Sequence, residues 1–127
     1  MQGQITLCDS ARCENGKFYV IGGGISNFNV VKFPTMLNIA ILIEFRFSIG
    51  ELGNMHNFEI RAVDDDGNEK FPKLTGEMKI EKKIDRVYHS FALQGPIKKP
   101  DNINFSLVVN NNEMDSPCLK IVPKVNN

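Results

Sequence analysis

Three thiols, two imidazoles and one acidic run are the groups through which this chain could do chemistry. Cys8 and Cys13 are five residues apart, while Cys118, His56 and His89 are scattered. A structural zinc site usually shows paired ligands such as CxxC, and none occurs here, so no metal is predicted from these groups. Nucleophilic catalysis would need a thiol beside an imidazole. Cys13 or Cys118 with His56 or His89 could meet that need only through the fold. Ser10, in "CDSAR", sits in no nucleophile elbow. His89 alternates with Val87 and Phe91, which predicts a core-facing, hydrogen-bonded histidine. Cys8 lies at a strand end, where a buried cysteine acts as a small hydrophobe. The sequence therefore predicts no catalytic residue and no enzyme.

The acidic run "DDDGNE", Asp64 to Glu69, raises calcium. That ion takes six to eight oxygens, and a hand-type loop would place acids at positions one, three and five before a glycine at six. Counting back from Gly67 puts Ala62 at position one, so that loop fails. Asp64 and Asp66 remain weak calcium candidates in an end loop, with Glu51 or Asp115 as helpers. A hairpin tip at Asp66-Gly67 explains the same residues without metal. The triplet Gly22-Gly23-Gly24 raises phosphate. A phosphate loop must open a helix, whose free N–H groups face the anion. Here "ISNFNVV" follows, β-branched and alternating. The triplet is predicted to be a structural turn or bulge, with no cofactor bound.

The elements that would position these groups are strands. "QITLCD" reads as a short first strand, "ENG" as a turn and "KFYVIG" as a second strand. "ISNFNVV" is a third, ended by Phe33-Pro34. The longest run, "MLNIAILIEFRFS", puts Ile39, Ile41, Ile43, Phe45 and Phe47 on one face. "IGELGNMHN" reads as a loop. "FEIRAVDDDGNEKFPKL" is a hairpin, with Pro72 marking an edge strand. "GEMKIEKKI", "VYHSFALQG" and "INFSLVVN" alternate, and the Asn-rich "NNNEMDSP" leads into "CLKIVP". Nine or ten strands and no helix of ten residues predict an all-β domain spanning residues 1–127. Its architecture would be a two-sheet β-sandwich with Greek-key or jelly-roll-like connections.

Ala40 and Leu42 point away from the core face of the longest strand. Either the Ile49–Asn57 loop covers them, or they form a contact surface, most simply in a homodimer. The contact is the reading adopted. Lys plus Arg equals Asp plus Glu at 15 each, which argues against a nucleic-acid binder. The basic run Lys79 to Arg86 is interrupted by Glu81 and Asp85 and reads as a solvated face. The opening "MQGQITLCDSAR" lacks an export signal, and "IAILI" is too short to span a bilayer. Three cysteines cannot all pair in one chain, so a reducing, cytoplasmic setting is expected.

The segment "LCDSARCENGKFYVIGGGISNF" resembles the opening of a family of small uncharacterised bacterial proteins carrying a domain of unknown function. The pattern is Cys8-Asp9, the Asn15-Gly16 turn and a strand closing in Ile21-Gly22-Gly23-Gly24-Ile25. Phe33-Pro34, "DDDGNE" and Phe91 to Gly95 are further landmarks. Near the end, "KPDNINFSLVV" keeps Pro100 and Phe105 but lacks the family's glycine turn. The resemblance implies a compact all-β domain in a bacterial cytoplasm and implies no reaction. The expected function is a non-enzymatic binding or assembly module that recognises a protein partner through a sheet face or edge. The alternatives are a ligand- or calcium-binding domain using its end loops, and a cysteine-dependent hydrolase.

Overall fold

The computed structural model describes residues 1–81 and 85–124. Lys82, Lys83 and Ile84 of the basic run lie outside the described residues. Ten strands are present among the described residues: β1 (Gln2–Glu14), β2 (Lys17–Gly23), β3 (Asn27–Val30), β4 (Thr35–Arg46), β5 (Met55–Val63), β6 (Glu69–Lys79), β7 (Arg86–Ile97), β8 (Asp101–Val109), β9 (Asn112–Asp115) and β10 (Cys118–Pro123). A 3-10 turn at Ile49–Glu51 joins β4 to β5. The segment read as a loop thus gives its last three residues, Met55 to Asn57, to a strand. The Asn-rich tip is a hairpin of its own, with Asn110 and Asn111 at φ 48° and 69° turning β8 into β9.

The strands form two facing sheets, ordered β2-β1-β4-β7 and β3-β10-β8-β5-β6, with β9 attached to β8. The fold is an all-β sandwich. The chain crosses between sheets so that β4 pairs with β7 and β5 with β8, the over-and-under path of a Greek key. Alternation explains which side faces in. Ile39, Ile41, Ile43 and Phe45 of β4 meet Phe58 and Ile60 of β5 and Ile103, Phe105 and Leu107 of β8 in one core. Pro72 lies on β6, an edge strand, where its missing N–H interrupts no ladder.

β1 is longer than the pattern suggested and does two jobs. Residues Gln2 to Cys8 pair with β4, and Ser10 to Glu14 pair only with β2. Between these halves the side-chain phase shifts. Thr6 and Cys8 alternate outward, yet Ala11 and Cys13 are the residues that pack on Cys8, Ala40 and Leu42. Phe18 of β2 reaches Tyr88 of β7, with ring centroids 4.8 Å apart, although β1 and β4 lie between these strands in sheet order. The β1–β2 hairpin therefore curls over the outer face of the first sheet. Ala40 and Leu42 are each only 6% exposed beneath it. The expected contact surface at these two residues is thus corrected: a hairpin of the same chain covers them, and the Ile49–Asn57 segment does not. Covering a leucine fully is worth about 1.5–3 kcal/mol, which favours the curl.

The glycine triplet sits where that curl begins. Gly22 has φ +63° and Gly24 φ +82°, a region closed to most L-residues. A Cβ on Gly22 would run into the Asp9 carboxylate. The Leu7 carbonyl accepts the N–H groups of both Gly24 and Ile25 at 2.9 Å. The triplet ends one strand and turns the chain, with no helix behind it.

Candidate functional site

The groups singled out for chemistry do not assemble. His56 is buried and fully used. Its Nε2–H donates to the Glu51 carbonyl at 3.1 Å, and its Nδ1 accepts from Asn110 Nδ2 at 3.0 Å. The Asn57 N–H donates to Asn110 Oδ1, which fixes the amide with its Nδ2 toward the ring. His89 faces inward, without the expected hydrogen bond at its buried Nε2 among the described residues. Its ring packs 5.2 Å from Phe58 and 6.1 Å from Phe45. Burial pushes its pKa below the ordinary imidazole value. Aromatic neighbours filled the space that a donor or acceptor would need. The Cys8 thiol donates to the Thr6 carbonyl at 3.4 Å. Burial, with the Asp9 charge second, pushes that thiol up, away from the thiolate a nucleophile requires. No thiol hydrogen-bonds an imidazole among the described residues.

The acidic tip is engaged by its own chain. Asp64 Oδ1 accepts the N–H groups of Asp66 at 2.9 Å and Asn68 at 2.8 Å. These bonds hold the Asp64 carboxyl below its usual range. Asp65 accepts from the side-chain amides of Asn102 at 2.8 Å and Asn104 at 3.0 Å. Lys70 Nζ lies 2.6 Å from Asp101 and 3.9 Å from Asp64, so an ammonium stands where a cation would be wanted. The proposed helpers have other duties: Glu51 accepts from Ser48 and the Met1 amine, and Asp115 accepts the Ile5 N–H. Asp64 and Asp66 are turn residues in this arrangement.

What the structure does present is an edge. Among the described residues, β2 pairs with β1 on one side only. The two-residue turn Asn15-Gly16 makes Glu14 and Lys17 the hydrogen-bonded pair, so Arg12–Tyr19 and Ser10–Ile21 follow as hydrogen-bonded pairs. The main-chain N–H and C=O groups of Phe18 and Val20 consequently point away from β1. Beside them Phe18 is 45%, Tyr19 48% and Ile21 71% exposed. The Arg12 guanidinium lies over the Tyr19 ring, 4.9 Å from its centroid, and holds that ring on the outer surface. A groove of about 320 Å³ runs beside the hairpin tip, lined by Cys13, Lys17, Arg86 and Tyr88 among others.

Sequence reading passed over Phe18, Tyr19 and Ile21 as an ordinary strand. The available signal was "KFYVIGG", seven residues with one charge and no proline, unlike a protected edge.

No helix among the described residues is long and apolar enough to cross a membrane. No curated protein and no solved structure matches the chain. The profile of one family matches residues 4–122, from the strand that carries the curled hairpin to the last strand of the second sheet. The chain belongs to that family, the family of unknown function DUF6941.

Proposed function

We propose that this chain is a non-enzymatic binding module that takes an extended segment of a partner protein along β2. The observation that carries this is the backbone of Phe18 and Val20, which no strand pairs on its outer side among the described residues, beside three exposed apolar side chains. An added strand gains main-chain hydrogen bonds from such an edge, and alternate side chains give selectivity. The turn at Asn15-Gly16 and the positive φ of Gly22 bound the usable edge to Lys17 through Ile21. A ladder of that length falls below the roughly 1,200–2,000 Å² of a standard stable interface, which suits a transient or multi-site partner. Equal numbers of acidic and basic residues suit a protein ligand better than a nucleic acid. Three free thiols fit a reducing bacterial cytoplasm.

Capture from a native extract, comparing wild type with Tyr19→Lys/Ile21→Lys, tests the reading. Lysine on an exposed edge opposes strand addition, and both positions are already on the surface. A defined protein held by the wild type and lost by the double variant, at unchanged melting temperature, is the expected result. A partner held equally by both would overturn it. A wild type that instead forms a dimer, broken by the double variant, would make the partner a second copy.

A further inference from the structure

We infer that the β1–β2 hairpin is a hinged strap, which lifts from the outer face of the first sheet while the sandwich stays folded. Its hinge is visible in the ladder. Pairing is interrupted between Cys8–Gly23 and Ser10–Ile21, so that Asp9 and Gly22 are unpaired. At that point the side-chain phase of β1 shifts and Gly22 takes its positive φ. The surface under the strap is small and separate from the main core. It consists of Cys8, Ala40 and Leu42, with Ala11, Cys13 and Val20 half-buried against them.

The tip is fastened weakly. Phe18 against Tyr88 is the aromatic contact there. Among the described residues, no ion pair or side-chain hydrogen bond links residues 10–22 to β4 or β7; the Arg12–Glu14 pair, at 3.9 Å, lies within the hairpin. Hairpin pairing itself survives lifting, because the β1–β2 ladder moves as a unit. Few apolar contacts and a glycine hinge are the marks of a unit that opens below the cost of global unfolding. Lifting would uncover the Cys8 thiol and the face formed by Ala40 and Leu42. The strap is a property of the chain alone and needs no partner.

Cys8, 0% exposed beneath the strap, is the reporter. Native-state labelling of the intact protein with iodoacetamide, read cysteine by cysteine by peptide mass spectrometry, follows its opening. The expected result is Cys8 labelling with a weak urea dependence, while exchange of β8 amides shows the steep dependence of global unfolding. Phe18→Ala should speed Cys8 labelling roughly three- to tenfold, the worth of an aromatic pair, while the weak urea dependence of that labelling is kept. Tyr88→Ala removes the same contact from the other side and should give the same acceleration. Arg12→Ala, on the outward face, should leave the rate as it is. Cys8 labelling with the same steep urea dependence as the β8 amides, in the wild type and in Phe18→Ala alike, would overturn the strap.

Discussion

The two hairpins β1–β2 and β5–β6 both place an edge strand at the rim of the sandwich, and they are finished in opposite ways. On β6, Glu69, Lys70, Lys73, Glu77 and Lys79 are exposed, and Pro72 removes an N–H from the edge. Its tip is tied down by directional bonds, Asp65 to Asn102 and Asn104, and Lys70 to Asp101. On β2 the edge carries one charge, Lys17, and its tip lies against β7 through the Phe18–Tyr88 ring contact. Charge and proline on an edge are how a sheet refuses further strands. One rim thus carries the features that oppose strand addition and the other lacks them, as the proposed binding along β2 requires. Oriented carboxylates hold one hairpin and apolar atoms hold the other, as the proposed strap requires.

The largest effect that would sharpen this contrast is expected at the hinge. Gly22→Ala forces a left-handed backbone and drives a Cβ into Asp9, so it should cost about 2 kcal/mol or more. Gly67→Ala at the β5–β6 tip, with φ +85° and open space around it, should cost about 1 kcal/mol. Urea denaturation of the pair checks the order, and equal losses would remove the special place given to Gly22.

Next is the surface under the strap. Leu42→Ala should cost about 2–3 kcal/mol, as a buried leucine does, with the protein still monomeric by light scattering. A loss below about 0.5 kcal/mol, the range of surface substitutions, would mean that the curl does not bury it.

Acid should separate the core from the tied tip by pH. His89 packs on Phe58 and Phe45, and burial lowers its folded pKa. Above the unfolded value near 6.5 it is neutral in both states and contributes no pH dependence. As pH falls below that value the unfolded chain takes up the proton first, so stability declines until the folded pKa is reached. Asp64 and Asp65 have lowered folded pKa values from their hydrogen bonds. Their stabilisation is present above about pH 4, the unfolded value, and is lost as pH falls through the lower folded values. A His89→Phe variant should abolish the first decline and keep the second, measured by melting temperature against pH.

The smallest effects belong to the tied tip. Asp65→Asn should lower the melting temperature slightly and raise amide exchange in the β5–β6 turn, leaving Cys8 labelling unchanged. Millimolar calcium should leave the melting temperature where it is, because Lys70 and the turn N–H groups already hold Asp64. A rise of several degrees, lost in Asp64→Asn, would restore the calcium reading of that tip.

Much of this architecture was legible before any coordinates. The alternation of Ile39, Ile41, Ile43 and Phe45 marked the core face, because side chains on a strand repeat every two residues. Asn15-Gly16 and Asp66-Gly67 marked turns, because few residues accept positive φ. Pro72 marked an edge, since it cannot donate to a ladder. These are local rules, and neighbouring residues suffice to satisfy them.

The tertiary structure alone decided what lies over each face. Alternation put Leu42 opposite the core but could not name its cover, which comes from Ala11, Cys13 and Val20 after a phase shift at Asp9. The hydrogen-bonded role expected of His89 falls to His56 for the same reason. His56 found Glu51 and Asn110, and His89 found aromatic rings. The exposed edge of β2 followed from sheet order, which depends on pairings between residues distant in the chain. Period and turn chemistry act through adjacent residues, whereas burial, partners and edges depend on which distant strands end up side by side.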